Sequence, residues 1–456
     1  MEIKYILDHT KDLENKEVEL NGWIRNHRPQ KEFGFIDFSD GTCFNHLQIV
    51  YDNTLNNFGD ISKLLVGSSI SVEGTLVKSS GNQEYEVKAS SITILDSCPD
   101  DYPIQAKRHT KEFLRENAYL RARTNMFQAV FRIRSIAAQG IHKYFGDNGY
   151  IYFNAPIITA SDCEGAGEMF QVTTLDLERV AKSGKLDYSK DFFGKFAGLT
   201  VSGQLEAETY ALAFSKVYTF GPTFRAENSN TKTHMAEFWM IEPEIAFCDL
   251  AGLMDIEEDM LKYIIKYVLD NAPSEIEFLD KFVENGLKAK LEKVVNSKFV
   301  RVTHEEVIKI LKESNELFEF TPEYGEDIAK EHEKYITEHF GGPVFIYNWP
   351  KDIKAFYMKQ NDDGKTVGAV DLELPGVGEL IGGSQREEDY DKLVSRMKEL
   401  GMSIDDMYWY VNLRKYGSVV HSGFGLGFER LVMYLTGMEN IRDVIPYYRT
   451  PGNCEF

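Results

Sequence analysis

Arg225 and Glu227 stand two residues apart in the stretch Gly221–Phe238, and on a β-strand their side chains would point the same way. The planar guanidinium of arginine suits phosphate oxygens, and a glutamate suits an amine. The Asn-Ser-Asn-Thr run that begins at Asn228 has the composition of a hairpin turn. The pattern predicts a nucleotide site on antiparallel strands, although an ordinary ion pair on a strand would use the same residues.

A second arginine, Arg430, follows three alternating glycines, Gly423, Gly425 and Gly427, and precedes the apolar, helix-compatible run Leu431–Leu435. A glycine-rich turn of this kind opens a helix whose first backbone N–H groups face a ligand. Tight packing at a helix start would give the same pattern. Taken alone, therefore, neither arginine identifies a site.

Together, in this order and about two hundred residues apart, the two stretches resemble motifs 2 and 3 of the class II aminoacyl-tRNA synthetases. The resemblance narrows to the asparaginyl-tRNA synthetase family and covers essentially the whole chain. The segments that are similar to this family are 161–170, 201–205, 382–388, 421–430, 441–446 and 449–453. The resemblance implies an ATP-dependent ligase that activates L-asparagine as an adenylate, releases pyrophosphate and transfers asparagine to the 3′ end of its tRNA.

The resemblance also assigns roles in binding ATP. It implies that Arg225 holds the α-phosphate and the substrate carboxylate, and that Arg430 clamps the far phosphate of a bent ATP. Glu227 anchors the adenine amino group or the amino acid, and the hairpin around His234 and Met235 packs on the adenine. Such a site has no protein nucleophile, because the work is done by positioning and by cations that neutralise charge at phosphorus.

By the same resemblance, Mg²⁺ is expected on Glu379, with Asp371 as a second carboxylate. Magnesium prefers few carboxylates together with phosphate oxygens, which agrees with this small set. An acidic residue at the end of a glycine-rich strand is also a common turn-capping residue. The metal role therefore depends on the family and not on the residue pattern.

Five positions bear on the amino acid. Arg386 matches the arginine that binds the substrate side-chain oxygen in aspartyl and asparaginyl enzymes, and Glu164 and Gln204 are assigned to the α-ammonium. Aspartyl enzymes carry a lysine at the position of Ala207. Without that cation, the negative charge of a buried aspartate side chain would be incompletely neutralised, which should favour the neutral amide by ~1–3 kcal/mol. The sequence therefore predicts asparagine as the substrate, with Glu227 able to accept a hydrogen bond from its amide nitrogen.

Three alternatives stay open. An aspartyl-type synthetase is disfavoured by Ala207 and by the ending Ser384-Gln-Arg-Glu, where that family usually has Arg-Ile-His. An ATP-dependent asparagine synthetase would share the catalytic fold but would not need residues 1–100. A catalytically inactive paralogue that binds RNA usually loses a motif arginine, whereas Arg225, Arg386 and Arg430 are all present.

The elements that must position these residues begin with short alternating strands over residues 1–103, separated by Gly, Asp and Asn turns. Five such strands predict a small closed β-barrel of the OB-fold type, a frequent platform for single-stranded nucleic acid. The family resemblance places Phe35 under an anticodon base, with Arg28 and Gln48 as backbone and base-edge contacts. The aromatic residues of the barrel alternate along its strands, so half of them must face its core.

The fold class predicted for the whole chain is α+β: this barrel is followed by a mostly antiparallel catalytic sheet flanked by helices. Residues 104–123 are rich in Lys and Arg and are predicted to be a basic hinge, residues 124–456 the catalytic domain, and residues 249–340 a helical insertion in it. An amphipathic helix is expected over 124–145. With the strand that follows, it resembles motif 1, which implies a homodimer.

The chain has 456 residues and a net charge of −21, which argues against a protein that coats nucleic acid but leaves room for a local basic path. No apolar signal segment and no run of membrane-spanning length are found in it. The five scattered cysteines show no Cys-x-x-Cys spacing. These observations predict a soluble protein of the reducing cytoplasm.

Overall fold

The computed structural model describes residues 1–81, 83–163, 169–228 and 231–456. By the clustering of its internal contacts the chain divides into two compact units, Met1–Arg132 and Ile133–Phe456. The division falls within helix α6, at a point nine residues beyond the predicted start of the catalytic domain at residue 124. Each unit is described by itself.

The first unit is built on a closed barrel in the strand order β1-β2-β3-β5-β4. Its strands are β1 (Glu17–Pro29), β2 (Phe33–Ser39), β3 (Leu47–Asp52), β4 (Ser69–Lys78) and β5 (Tyr85–Asp96). Alternation explains the barrel, because Val18, Leu20 and Ile24 of β1 are buried while the charged and polar residues between them are exposed. The predicted five-stranded OB-fold is confirmed.

Five helices and the start of a sixth complete this unit. They are α1 (Ile3–Asp8), α2 (Thr10–Leu13), α3 (Phe58–Ile61), α4 (Lys111–Glu116), α5 (Ala118–Arg121) and α6 (Asn125–Asp147). Two of them, α4 and α5, occupy the predicted basic hinge. Arg121 is fully buried there, with its guanidinium 4.6 Å from the ring centroid of Phe127. Not every basic residue of this stretch therefore faces solvent.

The second unit contains an eight-stranded sheet in the order β11-β12-β13-β14-β15-β10-β9-β6. Its strands are β6 (Ile151–Tyr152), β9 (Lys216–Phe224), β10 (Glu237–Ala246), β11 (Val300–Thr303), β12 (Val344–Pro350), β13 (Thr366–Leu374), β14 (Gly378–Gln385) and β15 (His421–Gly427). The six central strands pair antiparallel, and one parallel neighbour lies at each edge. Two short strands, β7 (Ile158–Thr159) and β8 (Gly198–Leu199), form a separate ribbon.

Helices flank this sheet. They are α7 (Leu177–Ser183), α8 (Gln204–Phe214), α9 (Leu250–Asn271), α10 (Pro273–Phe282), α11 (Leu287–Asn296), α12 (His304–Glu313), α13 (Lys330–Phe340), α14 (Tyr390–Glu399), α15 (Tyr408–Asn412) and α16 (Phe428–Thr436), with single 3-10 turns at Tyr188–Lys190, Lys351–Ile353 and Ile441–Asp443. Helix α9 packs its apolar face on β13, β14 and β15. The predicted α+β fold class, with a mostly antiparallel catalytic sheet, is confirmed.

Among the described residues, no helix combines the length and apolarity needed to cross a membrane. None of the five cysteines, all of which lie in the described ranges, takes part in a disulfide.

Candidate active site

One face of the central strands is made largely of glycine. Gly425 of β15 lies opposite Gly382 of β14, and Met240 of β10 lies opposite Gly427 on one side and Gly221 on the other. Directly opposed residues point to the same face of a sheet, so these glycines share one face. A glycine inside a strand leaves the backbone bare and lets a ligand approach closely. The face is therefore a trough with a backbone floor.

A cavity of about 180 Å³ opens at one end of this trough. Six of the residues around it are those that the sequence assigned to ATP: Arg225, Glu227, His234, Met235, Glu379 and Arg430. They come from the β9–β10 connection, from β14 and from α16. The fold brings this set together although its members are spread over about two hundred residues of sequence.

Arg225 and Glu227 lie just beyond β9 and not in it, because the strand ends at Phe224. The expectation that both residues belong to the strand is therefore wrong, because the strand ends one residue before Arg225. The backbone N–H of Arg225 still donates to Ala236, at 3.0 Å, so the hairpin stays closed up to this point. The Arg225 guanidinium is 29 % exposed and 4.0 Å from the Glu227 carboxylate, which leaves both groups accessible from the cavity.

Arg430 lies in the first turn of α16, directly after the trough glycine Gly427. Its Nη1 donates to the Glu379 carbonyl oxygen at 3.1 Å. The preceding residue, Glu429, is buried and accepts hydrogen bonds from Arg134 at 2.7 Å and from the Trp239 backbone at 2.9 Å, which anchors the start of the helix. The positive end of the helix dipole adds to the positive potential of Arg430.

His234 and Met235 line the cavity from the β10 side of the hairpin. The Nδ1 of His234 is 2.6 Å from the Thr231 hydroxyl. Burial, together with the positive charge of Arg430, lowers the pKa of His234. A neutral ring held in this way suits packing on a planar base more than binding a phosphate.

Glu379 and Asp371 border the same glycine. An added Cβ at Gly382 would lie 2.9 Å from the Glu379 Oε1 and 3.5 Å from the Asp371 Oδ1. Glu379 is exposed to the cavity, whereas Asp371 is buried and pairs with Lys354 at 2.7 Å. Burial and the nearby Glu379 raise the pKa of Asp371 to about 6, despite the opposing effect of Lys354. No cluster of three or more metal-binding side chains occurs in the described part of the chain.

Arg386 does not line the cavity. It is buried further along the trough, where its Nε donates to Glu244 at 3.2 Å, its Nη2 also donates to Glu244, and its Nη1 donates to Ser384 at 2.7 Å. Glu244 lies four residues after Met240, which corresponds to about 13 Å along a strand. The trough thus has an open end, lined by the residues that the sequence assigned to ATP, and a closed charged end.

Gln204, the first residue of α8, lies at the closed end. Its Nε2 donates to Glu208 at 3.3 Å, and Glu208 also accepts from Arg414, Tyr410 and His421. Gln204 and Arg386 are linked through this carboxylate, whose Oε1 is 4.0 Å from the Arg386 Nε. Glu164, the other residue assigned to the α-ammonium, lies outside the described residues.

Sequence reasoning did not single out three buried acidic residues of this end: Glu208, Glu242 and Glu244. Glu242 accepts hydrogen bonds from the Ser202 hydroxyl, from the Gly203 backbone at 3.0 Å and from Thr219 at 3.3 Å. A signal was present, because two acids spaced two apart in the apolar stretch Trp239–Ala246 must share one face of a strand. Burial raises the pKa of Glu244 to about 7.

In the first unit, the three residues assigned to the anticodon lie together on the barrel. Arg28 lies opposite Phe35 in the β1–β2 pair, and its guanidinium is 5.3 Å from the Phe35 ring centroid. Its Nη2 donates to the Gln48 Oε1 at 3.1 Å, and the Gln48 Nε2 donates to Glu86 at 2.8 Å. A partly exposed ring flanked by a guanidinium and an amide suits stacking and edge contacts to an unpaired base.

Comparison with known families matches both units. The family described as tRNA synthetases class II (D, K and N) matches residues 110–451, and the OB-fold nucleic acid binding domain matches residues 18–95. The asparagine–tRNA ligase of Clostridium tetani is 57 % identical over 458 aligned residues, which cover 100 % of this chain and 99 % of that protein. The asparagine–tRNA ligase of Acholeplasma laidlawii is 58 % identical and covers 97 % of this chain and 96 % of its own length.

Among solved structures, the asparaginyl-tRNA synthetase of Pyrococcus horikoshii in complex with asparaginyl-adenylate aligns with a TM-score of 0.85 and 32 % identity. The alignment covers 97 % of each chain. The similarity therefore extends over the barrel and the sheet alike.

Proposed function

The chain belongs to the class II tRNA synthetases of the D, K and N group, and we propose that it is an asparagine–tRNA ligase. It activates L-asparagine with ATP to give asparaginyl-adenylate and pyrophosphate, and then transfers the asparaginyl group to the 3′ end of a tRNA. The observation that carries the proposal is the single cavity around Arg225, Glu227, Glu379 and Arg430, at one end of a trough whose other end holds Arg386.

In the first step, a carboxylate oxygen of asparagine attacks the α-phosphorus of ATP, and the bond to the pyrophosphate oxygen breaks. Arg225 neutralises charge on the α-phosphate and holds the substrate carboxylate, while Arg430 and the start of α16 hold the far phosphate. Glu227 accepts from the adenine amino group, and His234 and Met235 pack on the base. The low pKa of His234 supports this role, because a neutral ring adds no charge under the base.

Mg²⁺ would be held by Glu379, with Asp371 beside it. The fit is supported by two carboxylates that border one glycine at the edge of the cavity, a donor set that suits a hard cation when ATP supplies further oxygens. The ion would supply neutralisation of phosphate charge. Lys354, which pairs with Asp371, keeps that second carboxylate oriented.

The choice of asparagine over aspartate is supported by the buried acids. Arg386 donates three of its five N–H bonds to Glu244 and Ser384, and among the described residues no acceptor engages the remaining two, one on each Nη. These can bind the amide oxygen, while Glu242 and Glu244 offer acceptors for the amide nitrogen. An aspartate carboxylate would meet two carboxylates, and Ala207 supplies no cation. This favours asparagine over the aspartyl-type alternative.

In the second step, the terminal hydroxyl of the tRNA attacks the carbonyl carbon of the adenylate, and AMP leaves. Gln204, together with Glu164, holds the α-ammonium group. Phe35 stacks on an anticodon base, and Arg28 and Gln48 contact its backbone and edge, a role supported by their grouping on one face of the barrel.

The proposal includes a homodimer and a cytoplasmic location. Exposed apolar side chains at Ile151, Tyr152, Ile157 and Ile158, in the segment that resembles motif 1, support a covered surface there. The absence of disulfides among the cysteines is what a reducing compartment would require.

Amino-acid-dependent ATP–pyrophosphate exchange tests the function, with asparagine and aspartate run in parallel. Exchange with asparagine alone is the expected result. Exchange with aspartate alone would instead establish an aspartyl-type enzyme. No exchange with either amino acid, in a protein that still binds tRNA, would indicate an inactive paralogue.

A further inference from the structure

Glu208 is a fully buried carboxylate that is surrounded by four polar side chains. It lies on α8, one helical turn after Gln204, and so faces the closed end of the trough. Its two oxygens accept from Arg414 at 2.9 Å, from the Tyr410 hydroxyl at 2.8 Å and from Gln204 at 3.3 Å, and one of them is 3.0 Å from the His421 Nε2. These groups therefore lie beside the proposed amino-acid pocket, and at most one side chain separates each of them from it.

His421 is a second buried neighbour of this carboxylate. Its Nδ1 is 2.8 Å from the Val419 carbonyl oxygen, and its Nε2 is 3.0 Å from the Glu208 carboxylate. Both neighbours are hydrogen-bond acceptors, so Glu208 and Val419 hold the ring from its two sides.

Among the described residues, the closed end combines two buried arginines, Arg386 and Arg414, with three buried acids, Glu208, Glu242 and Glu244. Without Glu208, the described part of the chain would offer Arg414 no carboxylate partner, and the pocket would become more positive by one charge. A positive pocket attracts an anionic side chain, whereas a balanced one favours a neutral amide.

We propose that Glu208 determines specificity: its charge offsets that of Arg414, so that the pocket around Arg386 rejects aspartate and accepts asparagine. Glu208 acts without touching the substrate, through Gln204, which it holds by a hydrogen bond, and through its field at Arg386, 4.0 Å away. The proposal rests on the proposed function, because it concerns the choice between two substrates of that same site.

The neighbouring charges support this arrangement. The cations around Glu208, with Arg414 first among them, lower the pKa of its carboxyl group in spite of its burial. The carboxylate is therefore ionised when the enzyme works, and its removal changes the charge of the pocket by one unit.

The test compares Glu208→Gln with Glu208→Asp in the full-length enzyme. Both variants disturb the packing of the side chain, but only the first removes its charge. Glu206→Gln, on the same helix, is the matched control, because the Glu206 carboxylate accepts from Thr159 at 3.4 Å and, among the described residues, makes no hydrogen bond to Glu208, Arg414 or Arg386, although it lies within electrostatic range of Glu242. The measurements are kcat/KM for asparagine and for aspartate in pyrophosphate exchange, and the inhibition constant of aspartate against asparagine.

For Glu208→Gln we expect the ratio of asparagine to aspartate kcat/KM to fall about ten-fold or more, and aspartate to inhibit about ten-fold more tightly. Glu208→Asp and Glu206→Gln should keep the wild-type ratio even if their rates fall. The two kcat/KM values of each ratio are measured on the same preparation. A loss of active enzyme through partial unfolding therefore lowers both values equally and leaves their ratio unchanged. A purely structural residue would lower both activities together.

An unchanged ratio in Glu208→Gln, beside wild-type enzyme that activates asparagine, would overturn the proposal and leave the proposed function standing. An equal change of the ratio in Glu208→Gln and Glu208→Asp would also overturn it, because geometry would then be the cause. Wild-type enzyme that does not activate asparagine would remove the proposed function and this inference together.

Discussion

The two ends of the trough use charge in opposite ways. At the nucleotide end, Arg225, Glu227, Glu379 and Arg430 are partly exposed, and their few mutual contacts are long or go to the backbone. At the amino-acid end, Arg386 and Glu208 are buried and engage several charged partners each. At the open end the protein charges remain available to a ligand, whereas at the closed end buried protein charges pair with one another.

This difference follows from the ligands. ATP would bring several negative charges and water-rich surroundings, so the arginines proposed to bind it can stay partly exposed to solvent at little cost. A neutral side chain brings no charge, and a buried pocket that must recognise it has to compensate every ion from within. A binding site can therefore keep a charged side chain either by leaving it partly exposed to solvent or by pairing it with an opposite charge of the protein.

The largest effect that would test this contrast is expected for Arg386→Ala. Removing the guanidinium leaves Glu244 buried without its cation, which should lower the free energy of unfolding by about 3–5 kcal/mol. Urea unfolding measures it, alongside the double variant Arg386→Ala/Glu244→Ala, which should recover part of the loss. A single variant as stable as wild type would mean that the closed end does not balance its own charges.

At the open end, Arg225→Ala should cost rate and not stability. Loss of a cation that meets developing charge at phosphorus should reduce pyrophosphate exchange by about 10²–10³-fold, while the melting temperature stays at the wild-type value because the side chain is partly exposed. Arg179→Ala, an exposed arginine of α7, is the control for the same chemical change. A large loss of stability in Arg225→Ala would remove the distinction between the two ends.

A third test distinguishes the function of the barrel from that of the two ends of the trough. Phe35→Ala should reduce tRNA charging by about ten-fold, since stacking of one base on an aromatic ring contributes ~1–3 kcal/mol. Pyrophosphate exchange without tRNA should not change. Equal losses in the two assays would show that Phe35 serves the fold and not an anticodon base.

The smallest effect is expected on the other face of β14, where Glu257 of α9 is fully buried and no described group donates to either of its oxygens. Burial, with the charge of Asp371 second, raises its pKa well above the usual 4.5. A raised carboxyl pKa in the folded state means that stability falls as pH rises from about 4.5, because the unfolded chain ionises first.

Glu257→Gln, which cannot ionise, should therefore be more stable than wild type by roughly 1–2 kcal/mol at neutral pH, and this gain should shrink as the pH falls towards 4.5 and vanish below it. Thermal unfolding at several pH values measures this, with the exposed Glu277→Gln as control. A loss of stability at neutral pH would mean that Glu257, like Glu208, is ionised and has a partner.

The open end was predictable from the sequence because its residues stand at boundaries. Arg225 follows a strand, Arg430 begins a helix after glycines, and Glu379 lies beside a glycine turn, so each interrupts a local pattern. The barrel and the sheet were predictable from alternation and from the family resemblance. The exact end of β9 was not, because strand ends depend on how far a neighbouring strand continues to pair.

The closed end was only partly predictable. Arg386 and Gln204 were found through the resemblance, but an acid within a helix, such as Glu208, is usually solvent-exposed. Its burial depends on Arg414 and His421, which are about two hundred residues away in the sequence and meet it only in the folded chain. Charge pairs between residues that are far apart in the sequence produce no local sequence pattern from which they could be predicted.

The glycine floor of the trough also limits how this enzyme could escape an inhibitor. A compound that lies against Gly382 and Gly425 touches backbone, so resistance would require a side chain where none exists. The smallest one, an alanine Cβ, would come within 2.9 Å of Glu379 at Gly382 and within 2.8 Å of Met240 at Gly425. Both side chains line the cavity that we propose for ATP, so a substitution that displaces the compound would also shift side chains at the proposed nucleotide site.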